Sequence, residues 1–217
     1  MIIAIDGPAG SGKSTVSRIL AQRLGFLYID TGAMYRAVTL KALDKKIDIL
    51  DEEQLIRLSG LCDIKLINNK DGSLSVYLDG EDVSKRIREP VITKFVSDVA
   101  KIKGVREAMV KLQRKMGQNN NAVLEGRDIA TVVFPNAEKK FYIDADFPER
   151  ARRRHKELIQ AGTDISLKDV EEDLRNRDKI DSSREVAPLK KAQDALCIDT
   201  TNMSIKEVIT RLLSHIR

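Results

Sequence analysis

Residues 7–14 read Gly7-Pro8-Ala9-Gly10-Ser11-Gly12-Lys13-Ser14, directly after the short apolar run Ile2–Asp6. This is the Walker A spacing, in which two glycines bracket four residues and Lys-Ser follows. Glycines let backbone N–H groups converge on phosphate oxygens without side-chain obstruction. A helix starting at the lysine adds the positive end of its dipole. Lys13 then acts as a point charge toward the β- and γ-phosphates of ATP, and the Ser14 hydroxyl is a ligand for Mg²⁺. Thr15 extends the loop, although it and Ser17 also read as ordinary polar helix positions. The strand before and the helix after are the context such a loop requires, and they imply phosphoryl-transfer chemistry.

GTPase switches, ATPase motors and small-molecule kinases all carry this loop. The chain is too short for a large motor. The guanine-reading Asn-Lys-x-Asp pattern is absent, because Asn69-Lys70-Asp71 lacks its spacing. Four further clusters decide more. They are Asp30-Thr31-Gly-Ala-Met-Tyr-Arg36, Glu125-Gly-Arg127-Asp128, Arg177 through Asp181 to Arg184, and Arg150 with Arg152–Arg154. Each has a plain alternative. Arg36 reads as a solvated helix residue, Arg127 and Asp128 as a surface pair, Arg177 and Arg184 as an exposed helix-end network, and Arg152–Arg154 as a solvated face. Taken together they suit an acceptor that is itself a phosphate monoester. Its charge must be neutralised before a second anion approaches, and Arg does this with bidentate forks.

The elements that must position these residues follow a βα rhythm. Apolar runs at Ile2–Asp6, Phe26–Asp30, Ala122–Glu125, Lys140–Asp144 and Ala195–Asp199 read as five buried parallel strands, with helical patterns between them. In such sheets, sites form at strand ends and the loops that follow. The first helix runs from Lys13 to a terminal Gly25, and the last opens on the capping box Ser204/Glu207. Residues 62–88 break the rhythm. Ile64–Ile67 and Ser73–Leu78 alternate with period two around a glycine turn, and Asp79-Gly80 marks a second turn. The fold class is α/β: a five-stranded parallel core at 1–61 and 101–217, a lid near 151–166, and an inserted antiparallel subdomain at 62–100.

Composition bounds the alternatives. The 217 residues carry a formal charge of +5, with 33% charged, 4% aromatic and no Trp. Scarce aromatics argue against a stacking platform for single-stranded nucleic acid, and the dispersed Arg residues argue against a nucleic-acid stripe. Cys62 and Cys197 lack metal or disulfide spacing. No apolar run approaches the ~20 residues of a membrane helix, and no leader pattern opens the chain. A cytoplasmic monomer is expected, with small-molecule substrates and neither nucleic-acid nor membrane partners.

The chain resembles the bacterial cytidylate kinases of the nucleoside monophosphate kinase superfamily. The likeness rests on Ile5–Thr15, Asp30–Arg36, Ser97 with Val105–Ala108, Glu125–Thr131, and Arg177…Asp181…Arg184-x-x-Ala-Pro, in the family's order. The inserted sheet also matches, and only Ser182-Ser183 is less charged than expected. The resemblance implies transfer from ATP, with Mg²⁺, to CMP or dCMP. Arg36, Arg127 and Arg184 would hold the acceptor phosphate, with Thr31 on the same side. Arg177 and Asp181 would contact the ribose, while Ser97, Arg106 and Asp128 would read cytosine. Lys13, Arg127 and Arg184 would be catalytic, with no dedicated general base, and one arginine of the 150–154 segment would reach the donor phosphates. UMP, AMP or shikimate as acceptor, and a regulatory or RNA-binding module without kinase activity, are the alternatives.

Overall fold

The computed structural model describes residues 1–216. Five parallel strands, β1 (Ile2–Asp6), β2 (Leu27–Asp30), β6 (Ala122–Gly126), β7 (Lys139–Asp144) and β8 (Leu196–Asp199), form the main sheet in the order β2-β6-β1-β7-β8. They are the five expected strands, with boundaries moved by a single residue at most. Each is short and apolar because helices cover both faces of the sheet. The registers Asp30↔Glu125, Asp6↔Gly126, Asp6↔Tyr142 and Asp144↔Asp199 bring all five carboxyl ends to one edge. The order reverses direction at β1, so the crevice beside β1 and β6 is the place for a ligand.

One face is covered by α1 (Lys13–Leu24) and α8 (Ile205–Ser214). Val16, Leu20, Val208 and Leu212 pack there on Ile3, Ile5, Phe141 and Ile198. Gly25, at φ 67, caps α1, and Ser204 with Glu207 forms the capping box of α8. The other face carries α2 (Thr31–Asp44), α3 (Glu52–Gly60) and α5 (Lys103–Gly117). α6 (Phe147–Gln160) and α7 (Leu167–Ser183) pair with each other beside the phosphate loop.

Residues 64–82 form a separate antiparallel sheet of β3 (Ile64–Asn68), β4 (Leu74–Leu78) and the short β5 (Glu81–Asp82). Asp79 and Gly80 both have positive φ, 52 and 90, the geometry of a tight two-residue hairpin turn. The Asn68 side chain pairs with both backbone polar groups of Tyr28 at 3.0 and 3.1 Å, covering the free edge of β2. A 3₁₀ turn at Arg86–Arg88 and α4 (Pro90–Lys101) follow. Val76, Leu78, Val83, Ile87 and Ile92 share one buried cluster with Ile29, Met34 and Val38, so the small sheet has no core of its own.

Candidate active site

A cleft of about 580 Å³ opens at the carboxyl edge of the main sheet. One side is the loop between β1 and α1. A side chain at Gly7 would run into the carbonyl oxygen of Ile143, and Gly12 caps α1 at φ 87 without a side-chain bond. Glycine at the N-cap leaves the first N–H groups of α1 free for an anion. Ala9, Gly10, Gly12, Lys13, Ser14 and Thr15 line the cleft. Gly7, Pro8 and Ser11 lie behind that lining, and the Lys13 ammonium bonds to the Pro8 carbonyl at 2.6 Å. Burial and the nearby Arg127 cation push Lys13 down to about 7, although Glu125, Asp6 and Asp181 pull the other way. An anion in the cleft would offset both effects.

Beside Ser14 lies Glu125, which accepts from the Tyr28 hydroxyl at 2.6 Å. Burial and the neighbouring Asp30 raise it above the ordinary carboxylate range, against Lys13 and the Ser14 hydroxyl. Thr31 donates to the Glu125 carbonyl at 2.6 Å, and Asp30 caps α2 through the Ala33 N–H.

The opposite wall gathers every acceptor-side residue expected from the sequence: Thr31, Arg36, Ser97, Arg106, Arg127, Asp128, Arg177, Asp181 and Arg184. Arg127 and Asp128 do not pair with each other. Arg127 binds Asp181 at 2.8 Å, and Asp128 binds Arg106 at 2.5 Å. Burial opposes the charge of Asp181, yet Arg127 and Arg184 hold its carboxyl below the usual range. Arg106 lies 5.3 Å from the Tyr35 ring centroid, close enough for a cation–π contact, and donates to the Ala100 carbonyl at 3.0 Å. Ser97, Val96 and Ala100 of α4 border the same corner.

The remaining guanidiniums are crowded. Arg36 bonds to Thr93 at 2.8 Å, and burial with the cations of Arg177 and Arg154 pushes it down to about 9. Arg177 and Arg184 are lowered by burial first and then by Arg127 and Arg106 respectively. Nitrogens of Arg106, Arg154, Arg177 and Arg184 are buried without a hydrogen-bond partner. Buried donors are rarely left unpaired, and neighbouring cations depress Arg36, Arg177 and Arg184, an arrangement that suits an anion.

The 150–154 arginines part company. Arg150 is buried, bonding to the carbonyls of Ala145 and Ala9 and to Asp178 at 2.7 Å, which ties the phosphate loop to α7. Arg152 is exposed beside Glu149, and Arg153 is bound to Glu149 and Thr200. Arg154 alone of the four lines the cleft, paired only with Glu157 at 3.2 Å. His155 meets the Ile165 carbonyl, both cysteines are free, and no cluster of metal-ligating His, Cys, Asp or Glu occurs among the described residues.

The family model of cytidylate kinase matches residues 3–217. The chain belongs to the cytidylate kinase family. It is 50% identical to a cytidylate kinase of Caldanaerobacter subterraneus subsp. tengcongensis, an alignment covering 99% of this chain and 94% of that protein. It is 49% identical to the cytidylate kinase of Bacillus subtilis, with 99% and 95% covered. Among solved structures, the fold is shared with a shikimate kinase from Bacteroides thetaiotaomicron at 12% identity and a TM-score of 0.50, covering 100% of this chain and 98% of that one.

Beyond the expected residues, the cleft has further lining side chains and further supports behind them. The sequence reading did not single out Tyr28, Tyr35 or Asp178, nor Asp6, whose carboxylate accepts two backbone N–H groups of the turn after Asp128. Asp6 falls within the Ile5–Thr15 stretch that carries the resemblance, but nothing local in the sequence places it beside residues 129 and 130. Arg88 and Arg18 also line the cleft unannounced.

Proposed function

We infer that the chain transfers a phosphoryl group from ATP to CMP or dCMP, giving ADP and CDP or dCDP. Beyond the family itself, the observation that carries this reading is the buried Arg106–Asp128 pair standing next to Arg36, Arg127 and Arg184. A carboxylate suits the 4-amino group of cytosine, and a guanidinium suits N3 and its adjacent carbonyl. We propose that Ser97, Arg106 and Asp128 read the base, that Arg177 and Asp181 hold the ribose, and that Arg36, Arg127 and Arg184 grip the phosphate.

Catalysis on this reading is positional and electrostatic. A phosphate monoester is already a competent nucleophile, so no general base is required. Lys13 and the α1 N-terminus meet the charge that shifts during transfer, and Arg154 is the proposed lid arginine for the donor phosphates. The Ser14 hydroxyl, with Glu125 and Asp30 lining the same cleft, offers an all-oxygen donor set that fits Mg²⁺. Bound there, the ion would neutralise charge between the β- and γ-phosphates. Residues 62–100 are the proposed monophosphate-binding subdomain and residues 151–166 the proposed lid, closing to exclude water and limit ATP hydrolysis. We propose a monomer working in the cytoplasm; no described helix is long and apolar enough to cross a membrane.

A coupled ADP-release assay across all ribo- and deoxyribonucleoside monophosphates, with shikimate as a further acceptor, tests this. CMP and dCMP should give the highest kcat/KM. A higher value for UMP, AMP or shikimate would overturn the acceptor assignment, and salt-dependent RNA binding without ADP formation would overturn the enzyme.

A further inference from the structure

Asp6 is the last residue of β1 and sits immediately before Gly7, yet none of the roles above uses it. It is buried, and its Oδ1 and Oδ2 accept the N–H groups of Ile129 and Ala130, both at 2.8 Å. Those two amides open a single wide helical turn, Ile129–Val133, whose N-cap residue is Asp128. An aspartate at that position ordinarily turns its own carboxylate onto the N–H of the second or third residue of its helix. Here the Asp128 side chain makes no capping bond. It points instead to Arg106, and the Ala130 N–H, one of the two it could have capped, is taken together with the Ile129 N–H by a carboxylate from the adjacent strand.

We propose that Asp6 is a positioning residue for base recognition, capping the turn after Asp128 from the neighbouring strand and so releasing the Asp128 carboxylate toward Arg106 and cytosine. The arrangement keeps a carboxylate under strong desolvation: burial raises Asp6 to about 6 despite its two backbone bonds. Two N–H groups bound by two oxygens call for a carboxylate, since Ser, Thr or Asn offers a single acceptor oxygen. It also links the two substrates, because the residue that opens the donor loop holds the backbone beside the proposed base reader. This inference rests on the reading of Asp128 as base-facing.

The test compares Asp6→Asn, Asp6→Ala, Asp128→Ala and the double variant Asp6→Ala/Asp128→Ala with wild type, measuring KM for CMP and ATP and kcat/KM for CMP and UMP. Without Asp6 the Asp128 carboxylate should swing back onto its own turn. Asp6→Ala should then lower the CMP/UMP ratio by about 10-fold, mainly through KM for CMP, with KM for ATP changed less than about 3-fold. Asp6→Asn should fall between, because its one amide oxygen serves one of the two N–H groups. In the Asp128→Ala background, removing Asp6 should not change the ratio further. Equal losses for ATP and CMP, or additive effects in the double variant, would reduce Asp6 to a structural residue. An unchanged ratio in Asp128→Ala would sink the base reading and this proposal with it; a collapse there with no change in either Asp6 variant would sink this proposal alone. Should the Asp6 variants not fold, wild-type NMR decides. Saturating CMP should move the Ile129 and Ala130 amide resonances and saturating UMP should not, and an identical response to both contradicts the proposal.

Discussion

The phosphate loop draws its groups from consecutive residues, Gly7–Ser14, whereas the facing wall draws Arg36 from α2, Arg106 from α5, Arg127 from the turn after β6, Arg177 from the C-terminal half of α7 and Arg184 from the C-cap of that helix. The loop works through backbone N–H groups and one lysine, and its geometry is set locally by glycine dihedrals and the start of α1. The wall works through long side chains that must be held from elsewhere. Asp181 holds Arg127, Asp128 holds Arg106, and Asp6 holds the backbone beside Asp128. A loop of the first kind recognises what every nucleoside triphosphate shares. A wall of the second kind can distinguish one monophosphate from another, because each buried donor or acceptor left unpaired by a wrong ligand is penalised.

The two sides should therefore fail differently. Lys13→Ala, on the loop side, should give the largest loss, about 10²-fold or more in kcat, as removal of a preorganised electrostatic contact does. Steady-state kinetics on a variant shown by thermal melting to be folded would check it, and near-wild-type kcat would take Lys13 out of the chemistry. On the wall, Arg36→Ala, Arg127→Ala and Arg184→Ala should each weaken CMP use by about 1–3 kcal/mol, roughly 5- to 150-fold, through an underpaired phosphate oxygen. ATP affinity, measured by titration, should change far less. If it falls as far as CMP affinity, these arginines do not belong to the acceptor side.

What the sequence disclosed follows the same division. The glycine loop was legible because its function is encoded in adjacent residues, and the five strands were legible because buried parallel strands are unbroken apolar runs between helical patterns. The arginines were legible as types but not as partners. Arg127 and Asp128 are neighbours in sequence, so a surface pair was a fair reading, yet each is claimed by a residue far away, Asp181 and Arg106. Within the 150–154 run, helical phase puts Arg150 and Arg154 on one face, and one turn along α6 sends Arg150 to Asp178 and leaves Arg154 at the cleft. The part played by Asp6 depends on strand order, since β6 lies beside β1 although more than a hundred residues separate them. The small sheet was visible by its period of two, but its reliance on the core beneath α2 was not, because no local pattern reports which residues share a cluster.

The central proposal is that the wall reads cytosine through Arg106 and Asp128, and kcat/KM for CMP and UMP in wild type, Arg106→Met and Asp128→Ala tests it most directly. Uracil reverses the donor and acceptor on the edge these two residues would face, so the atoms they turn toward the base would meet like against like even while the two stay paired with each other; polar complementarity of this kind rejects a mismatched ligand by up to roughly 10⁴-fold. The CMP/UMP ratio should be high in wild type and collapse in both variants, chiefly through loss of CMP activity. An unchanged ratio in both would mean that the base is read elsewhere.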